Sequence, residues 1–168
     1  MNIILIGYRG SGKTSIGKLL AKHLWMDFLD TDVFISATAD KTIKEIFETE
    51  GETGFRDRES AAIREVAGKD NQVLALGGGA ILRPENVAAL KPTGKVIYLK
   101  SNAATLHARI QADPESSASR PNLTTGGVEE VEAMLEKRVP LYEAAADLTL
   151  DVTYLTIEDA AKRLVTMI

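Results

Sequence analysis

The segment from Gly7 to Thr14 carries the residue types that bind phosphate groups. It reads Gly-Tyr-Arg-Gly-Ser-Gly-Lys-Thr and matches G-x-x-x-x-G-K-[ST], the P-loop pattern. Its glycines let the backbone turn tightly and aim several N–H groups at one point, and the predicted following helix adds the positive end of its dipole. Lys13 is expected to reach the β- and γ-phosphates, and the Thr14 hydroxyl to bind Mg²⁺. The loop therefore predicts binding of a nucleoside triphosphate.

A glycine-rich turn without a ligand is the alternative explanation of this loop. The apolar run Ile3–Ile6 precedes the loop, and Ile16, Leu19 and Leu20 follow it at helical spacing. A strand, a loop and a helix in that order are the context that a phosphate-binding loop requires. The context therefore favours the functional explanation.

Two aspartates form a second group of candidate ligands. Asp30 and Asp32 follow the short apolar run Phe28-Leu29, so we expect them at the carboxyl end of a strand, where open α/β sheets bind ligands. On an extended segment alternate side chains point the same way, so both carboxylates would face the phosphates. Aspartate is also common in turns and at helix N-caps, and the short motif alone favours that explanation. The P-loop one helix upstream reverses this preference.

A third group combines opposite charges within a predicted helix. Arg56 and Glu59 lie three positions apart and share a helix face, whereas Arg58 lies nearly opposite Arg56. Glu59 can brace the Arg56 guanidinium and leave its planar fork available for a carboxylate ligand. From spacing alone, an ordinary surface ion pair is the better explanation.

Three consecutive glycines follow the apolar run Val73–Leu76, again at the carboxyl end of a predicted strand. Gly77, Gly78 and Gly79 offer backbone N–H groups without side-chain obstruction, which is typical of a backbone that a ligand approaches closely. A plain turn between a strand and a helix rarely needs three glycines, so the triplet favours a functional role.

Two further arginines have ordinary explanations. Arg109 and Arg138 lie near predicted helix C-termini, where a cation can simply neutralise the helix dipole. For the second of these helices, Pro140 predicts an end or a kink at Val139.

A polar segment at about 112–127 interrupts the regular pattern. It is rich in turn residues and ends in Gly126-Gly127, so it is either a long surface loop or a lid with glycine hinges. Arg120 within it favours the lid.

Strand-like and helical patterns alternate along the whole chain. This alternation implies an α/β fold with a parallel sheet covered by helices on both sides. Apolar runs predict strands at Ile3–Ile6, Phe28-Leu29, Val73–Leu76, Val96–Leu99 and Leu148–Val152.

The helical patterns carry their own boundary signals. Thr42 and Glu45 form a capping box, and Gly51 predicts a stop before a second helix that ends at about Val66. Trp25 and Met134 are expected to pack in the interior.

Composition narrows the functional classes. A chain of 168 residues suits one compact domain, and its 45% hydrophobic and 26% charged residues are ordinary for a soluble globular protein. The absence of cysteine excludes disulfides and thiolate metal sites, and the net charge of −4 argues against a nucleic-acid surface. The sequence contains no apolar run long enough to span a bilayer, and we expect no signal peptide. A cytoplasmic protein without nucleic-acid or membrane partners is expected.

Taken together, these motifs resemble the shikimate kinase family, and the likeness spans nearly the whole chain. The succession of LDTD, FR-x-x-E and GGG carries most weight, because gluconate and nucleotide kinases share the P-loop but not this series. The motifs in order are GYRGSGKT, LDTD, TIKEIFETEGETGFRDRE, LALGGGAI, VIYL, the Arg120-Pro121 lid element and KRVPLYEAAAD.

The resemblance implies a fold and an activity. The fold is a three-layer α/β/α P-loop NTPase fold, similar to nucleoside monophosphate kinases, with a central five-stranded parallel sheet and a mobile lid. The activity is transfer of the γ-phosphate of ATP to the 3-hydroxyl of shikimate, with Mg²⁺ as cofactor, in aromatic amino-acid biosynthesis. A monomer is expected, with a single domain at 1–168 and a shikimate-binding helical region at about 31–62.

Motif positions carry implied roles. Asp32 would bind the ring hydroxyls of shikimate and orient the attacking one, while Arg56 and Arg138 would hold the carboxylate. Lys13 and Arg120 would neutralise charge that develops on the transferring phosphate.

The resemblance also implies supporting contacts. Thr14 would bind Mg²⁺, with Asp30 supporting the ion through water, and Arg109 would lie beside the adenine. Arg120 would contact ATP as well. The other implied contacts are Gly10, Ser11, Gly12, Lys13, Thr14 and Ser15 to ATP, Gly78 and Gly79 to shikimate, and Glu59 as support for Arg56.

Two other functions remain open at this point. A kinase for another polyol acid, such as gluconate, shares the P-loop, although Arg56, Arg138 and the glycine triplet argue against it. A module that binds nucleotide and signals or scaffolds through its lid is the non-enzymatic alternative. Asp30, Asp32 and Lys13 count against that module, because binding alone needs no group that orients a hydroxyl.

Overall fold

A computed structural model describes residues 1–113 and 126–168 of the chain. Each of its strands overlaps one of the predicted apolar runs. The strands are β1 (Asn2–Ile6), β2 (Asp27–Asp30), β3 (Gln72–Ala75), β4 (Gly94–Lys100) and β5 (Leu148–Asp151).

The strands form one parallel sheet in the order β2-β3-β1-β4-β5, which confirms the predicted five-stranded parallel sheet. Ile4 of the central strand β1 lies opposite Leu74 of β3 and Val96 of β4. All of β1 is buried, as expected for a parallel strand that is covered on both faces. After β1 the chain first forms β2 and β3 on one side of that strand, and then crosses to form β4 and β5 on its other side. The loop after β1 therefore lies at the topological switch point, where such sheets bind ligands.

Helices cover both faces of the sheet. They are α1 (Lys13–Leu24), α2 (Thr31–Ala39), α3 (Ile43–Ala67), α4 (Pro84–Leu90), α5 (Ala103–Ala112), α6 (Val128–Ala145) and α7 (Ile157–Met167), with 3₁₀ turns at Ala80–Leu82 and Lys91–Thr93. In the parts of the chain that the structure describes, none of the helices has the length and apolar character needed to cross a membrane.

The two faces of β1 belong to two hydrophobic clusters. Ile4 and Ile6 pack in a cluster with residues of α3, α4, α5 and α6. Ile3 and Leu5 pack in the other cluster with residues of α1 and α7. A third cluster, built around Phe55, joins α2 to α3 away from the sheet.

Helix α3 begins at its predicted capping box and is interrupted at the predicted glycine. The capping box of Thr42 and Glu45 is present at its start. Gly51 has φ 70° and ψ −177°, a backbone conformation that is essentially restricted to glycine. The helix resumes directly after Gly51, so the predicted stop is a break within α3.

Two other expectations need correction. Of the end or kink expected at Val139, the end does not occur, because helix α6 continues through Pro140 to Ala145; the burial of Tyr142 and Ala145 beyond the proline anchors its last turn. Trp25 does not pack in the interior, because its side chain is 91% exposed at the C-cap of α1. Met134 packs against the core as expected.

The predicted lid at about 112–127 has only its ends within the described part of the chain. Helix α5 ends at Ala112, and Gly126 and Gly127 directly precede α6. Arg120 and the Arg-Pro element lie outside the described residues.

Candidate active site

A cleft of about 880 Å³ lies at the carboxyl edge of the sheet. Three successive strand ends contribute to its wall: the P-loop after β1, Asp30 and Asp32 around the end of β2, and Gly77 and Gly78 after β3. Arg109 and the segment after β5 line the opposite end. The topology therefore brings the nucleotide-binding candidates and the acidic pair to one cavity.

The P-loop needs glycine at the turns that shape it. Gly10 and Gly12 have φ 82° and φ 91°, in the left-handed region that other residues rarely adopt. The Lys13 ammonium donates hydrogen bonds to the carbonyl oxygens of Gly7 at 2.8 Å and Tyr8 at 2.9 Å. These bonds hold the positive charge of Lys13 at the centre of the loop, at the N-terminus of α1.

The side chains of Thr14 and Asp30 bring two candidate metal ligands together. The Thr14 hydroxyl donates to Asp30 Oδ2 at 2.7 Å. Among the residues described, no cluster of three or more His, Cys, Asp or Glu side chains is placed to hold a metal. Mg²⁺ usually takes one or two protein oxygens and completes its shell with water and substrate phosphates. A hydroxyl and a carboxylate beside a phosphate-binding loop therefore fit that ion.

Asp30 and Asp32 lie in the cleft for a different reason from the predicted one. Asp32 lies in the first turn of α2 and not on an extended segment, so strand alternation does not align the two carboxylates. Asp30 is the N-cap of α2, and its Oδ1 accepts hydrogen bonds from the backbone N–H groups of Asp32 and Val33. The start of the helix turns both side chains towards the cleft.

Arg56 and Glu59 form a buried ion pair. Arg56 Nη1 donates to Glu59 Oε1 at 2.8 Å, and the residues are 8% and 0% exposed. The explanation as an ordinary surface pair is therefore wrong. Arg58 points to the outer side, where its Nε lies 3.0 Å from Glu50 Oε1, as its position on the helix predicts. Charge-assisted bonds in buried surroundings are short and strong, so the Arg56 guanidinium is held in a fixed orientation.

The glycine triplet gives room to side chains of the protein itself. A Cβ atom at Gly77 would lie 2.8 Å from Asp32 Oδ1 and 3.0 Å from Glu59 Oε2. At Gly79 it would overlap the Arg56 guanidinium. The predicted cause, close approach of a ligand to the backbone, is therefore incomplete. The absence of side chains at Gly77 and Gly79 also leaves the space that Asp32, Glu59 and Arg56 occupy.

Arg138 of α6 completes the group around the triplet. Its Nη1 lies 3.5 Å from the place that a Cβ of Gly78 would occupy, and its Cζ lies 5.7 Å from the ring centroid of Tyr8 in the P-loop. Asp32, Gly77 and Gly78 line the cleft, whereas Arg56, Glu59 and Arg138 lie next to the triplet and do not line the cleft themselves.

The far end of the cleft combines Arg109 with residues that the sequence did not assign. Arg109 Nη2 donates to the Val152 carbonyl oxygen at 3.2 Å, which joins α5 to the segment after β5. The pairing of β4 with β5 brings these segments together, and no sequence motif marks them. The unassigned residues that line the cleft include Arg9, Val33, Val152, Leu155, Thr156 and Ile157.

Three titratable groups near the site have shifted pKa values. Burial raises the pKa of the Tyr142 phenol well above its ordinary value, despite the opposing effect of Arg138. Burial, with smaller effects of Glu143 and Asp151, raises the pKa of Tyr98 to about 12. Hydrogen bonds from Thr153 lower the pKa of Asp151 below its ordinary value. Both tyrosines therefore remain hydrogen-bond donors at neutral pH.

A P-loop at the switch point of a five-stranded parallel sheet with helices on both faces places this chain among the α/β P-loop kinase folds. A family model described as "Shikimate kinase" matches residues 9–168. The chain belongs to the shikimate kinase family.

Individual relatives agree with this assignment. A protein of Rhodopirellula baltica named "Shikimate kinase" is 42% identical over 94% of this chain and 85% of its own length. A protein of Yersinia pestis named "Shikimate kinase 2" is 46% identical over 90% of this chain and 86% of its own. The solved structure of shikimate kinase from Acinetobacter baumannii in complex with shikimate is similar with a TM-score of 0.92 and 36% identity, over 99% of this chain and 91% of that one.

Proposed function

We propose that this chain is a shikimate kinase that transfers the γ-phosphate of ATP to the 3-hydroxyl of shikimate and releases shikimate 3-phosphate and ADP. The observation that carries the proposal is the convergence of Asp32, the Arg56–Glu59 pair and Arg138 on the glycine triplet next to the P-loop. The Acinetobacter baumannii relative, solved in complex with shikimate, supports shikimate as the acceptor.

Arg56 and Arg138 hold the carboxylate of shikimate in this proposal. Glu59 occupies Nη1 of Arg56, so other N–H groups of the guanidinium serve the ligand. A planar guanidinium matches the two oxygens of a carboxylate, which a lysine ammonium does less well. The backbone of Gly78 and Gly79 contacts the ring beside it, and the helical region at about 31–62 covers this end of the site.

Asp32 orients the 3-hydroxyl and accepts its proton. The hydroxyl oxygen forms the new bond to the γ-phosphorus while the bond from that phosphorus to the β,γ-bridging oxygen breaks. ADP leaves with the electron pair of the broken bond. Catalysis of this kind depends mainly on position and charge, because phosphoryl transfer leaves little covalent chemistry to the protein.

The P-loop binds the phosphates of ATP. Backbone N–H groups of residues 10–15 surround them, and Lys13 and Arg120 neutralise the charge that develops during transfer. Thr14 and, through water, Asp30 hold Mg²⁺ in this proposal. Bound there, Mg²⁺ would offset the negative charge of the phosphates.

The adenine is assigned to the far end of the cleft. Arg109, held by the Val152 carbonyl oxygen, offers a flat cationic face to the base. Leu155 and Ile157 add apolar surface on the same side of the cleft.

We also propose that the chain acts as a cytoplasmic monomer of one domain, with a lid at about 112–127, in aromatic amino-acid biosynthesis. In this proposal its partners are shikimate and ATP, and neither a nucleic acid nor a membrane. The net charge of −4 and the absence of cysteine support this setting.

The test is an assay of ADP release with ATP and Mg²⁺, run with shikimate, with gluconate and without an acceptor. We expect release that depends on shikimate and a product with the mass of shikimate 3-phosphate. Faster release with gluconate would favour the other acid-kinase function. Nucleotide binding without any phosphorylated product would favour the non-enzymatic module.

A further inference from the structure

Tyr142 of α6 is joined to the glycine triplet by a short hydrogen bond. Its hydroxyl donates to the Gly78 carbonyl oxygen at 2.6 Å, and the residue is 0% exposed. Burial raises the pKa of this phenol, so the hydroxyl keeps its proton and stays a donor throughout the neutral range. The hydrogen bond to Gly78 therefore does not depend on pH in the neutral range.

The same turn of α6 carries Arg138. Residues 138 and 142 are four positions apart and lie on one face of the helix. Arg138 approaches Gly78 with its guanidinium, and Tyr142 holds the carbonyl oxygen of that glycine. Helix α6 thus touches the triplet with two groups, and only one of them is charged.

The bond to Gly78 also fixes the next peptide group. In a planar trans peptide the C=O of Gly78 and the N–H of Gly79 point in opposite directions. A held carbonyl oxygen therefore orients the Gly79 N–H away from Tyr142. The Arg56 guanidinium lies against Gly79, so its place depends on how this peptide is turned.

We infer that Tyr142 is a positioning residue for the carboxylate-binding part of the site. Its hydroxyl locks the Gly78–Gly79 peptide and thereby fixes the distance between Arg56 of α3 and Arg138 of α6. The inference rests on the proposed function, since it assigns the two arginines to the carboxylate of shikimate. Tyr142 itself does not touch the substrate.

The test compares Tyr142→Phe with Tyr98→Phe. Tyr98 is 1% exposed and stacks on Tyr142 with ring centroids 4.9 Å apart, so each variant loses one buried phenolic oxygen from the same stack. The pKa of Tyr98 responds to Glu143 and Asp151, which places its hydroxyl in different surroundings from the Gly78 carbonyl oxygen. Steady-state kinetics with each substrate varied in turn and thermal unfolding of both variants are the measurements.

We expect Tyr142→Phe to raise KM for shikimate by about threefold to tenfold, the range of one lost hydrogen bond, and to leave KM for ATP within about twofold. Tyr98→Phe should leave both KM values near those of the wild type. A lower Tm in both variants with an unchanged KM for shikimate would make Tyr142 a structural residue and overturn the inference.

A double-mutant cycle with Arg56→Ala tests the route of the effect, because Arg138 also acts directly on the Tyr142 phenol. If Tyr142 acts on Arg56 through the peptide, Tyr142→Phe will raise KM for shikimate less in the Arg56→Ala background than in the wild type. Equal effects in both backgrounds would overturn the inference. A wild-type protein that releases no ADP in response to shikimate would instead refute the proposed function, so the two failures are distinguishable.

Discussion

The two ends of the site are built in different ways. The proposed phosphate end consists of one continuous stretch of eight residues, Gly7 to Thr14, whose backbone N–H groups would provide most of the contacts. The proposed carboxylate end is made of Asp32 from α2, Arg56 and Glu59 from α3, and Arg138 from α6. The fold brings these side chains together around the three glycines. One end is encoded locally, and the other exists only in the folded chain.

Burial differs between the ends as well. The Thr14–Asp30 contact is open to solvent, whereas Glu59 is 0% exposed beneath Arg56. A charge at a solvated site can be removed without loss of fold, but a buried charge that loses its partner destabilises the protein strongly. Loss of a charge at the phosphate end should therefore reduce activity alone, and loss of a buried charge at the carboxylate end should reduce activity and stability together.

Replacement of Lys13 gives the largest expected effect. Lys13→Ala removes a positive charge aimed at the transferring phosphate, and we expect kcat to fall by about a thousandfold while Tm stays within a few degrees of wild type. Lys22→Ala, at an exposed position of the same helix, is the matched control and should be fully active. A Lys13→Ala variant that keeps a tenth of the wild-type kcat would contradict the role.

Replacement of Arg56 should affect both binding and stability. Arg56→Ala should raise KM for shikimate by about a hundredfold and lower the free energy of unfolding by about 3 kcal/mol, because the buried Glu59 loses its ion pair with Arg56. Kinetics and urea denaturation measure the two effects. Arg58→Ala on the same helix breaks only the outer pair with Glu50 and should change neither quantity appreciably. Equal losses in the free energy of unfolding for Arg56→Ala and Arg58→Ala would contradict the claim that the carboxylate end depends on a buried ion pair.

Replacement of Asp30 should produce an intermediate effect. Asparagine caps helices about as well as aspartate, so Asp30→Asn keeps the start of α2 and removes only the charge next to Thr14. We expect kcat/KM for Mg²⁺-ATP to fall by about tenfold and the half-saturating Mg²⁺ concentration to rise. Asp30→Ala should also lose about 1 kcal/mol of stability with the cap. An unchanged Mg²⁺ titration in Asp30→Asn would argue against the assigned ion site.

Asp151 gives the smallest expected effect, through pH. Its pKa is lower in the folded protein than the ordinary 3.8, so the folded carboxyl binds a proton less readily than the unfolded one. The stabilisation is present above the unfolded pKa and is lost as pH falls through the folded pKa. Asp151→Asn should cost less than about 1 kcal/mol at pH 7, since the group is largely solvated. In urea denaturation the difference from wild type should shrink below pH 3.8, and a constant difference would refute this origin.

Local signals in the sequence predicted the fold well. The apolar runs located every strand of the sheet, and the capping box of Thr42 and Glu45 marked the start of α3, because these patterns depend only on near neighbours in the chain. The P-loop was recognisable for the same reason. Pro140 does not end α6 as one of its two predicted outcomes required, because the burial of Tyr142 holds the helix together beyond the proline.

The carboxylate end and the base end were harder to predict. Spacing placed Arg56 and Glu59 on one helix face, but it could not tell which face is buried, since α3 alternates charges on all sides. The contact of Arg109 with Val152 depends on β5 pairing with β4, which no local pattern encodes. The roles of these residues in binding and catalysis remain predictions until the variants above are measured.

The exposure of Trp25 limits what intrinsic tryptophan fluorescence can report about this protein. It is the chain's one tryptophan, and its indole is already 91% in contact with solvent in the native state. The backbone carbonyl oxygen of Trp25 accepts a hydrogen bond from the Asn71 side chain. Both residues lie just before β2 and β3, at the amino edge of the sheet, whereas the cleft lies at the carboxyl edge. Intrinsic fluorescence will therefore respond weakly to denaturation and to ligands, and an informative reporter needs an indole introduced elsewhere with Trp25 replaced by phenylalanine.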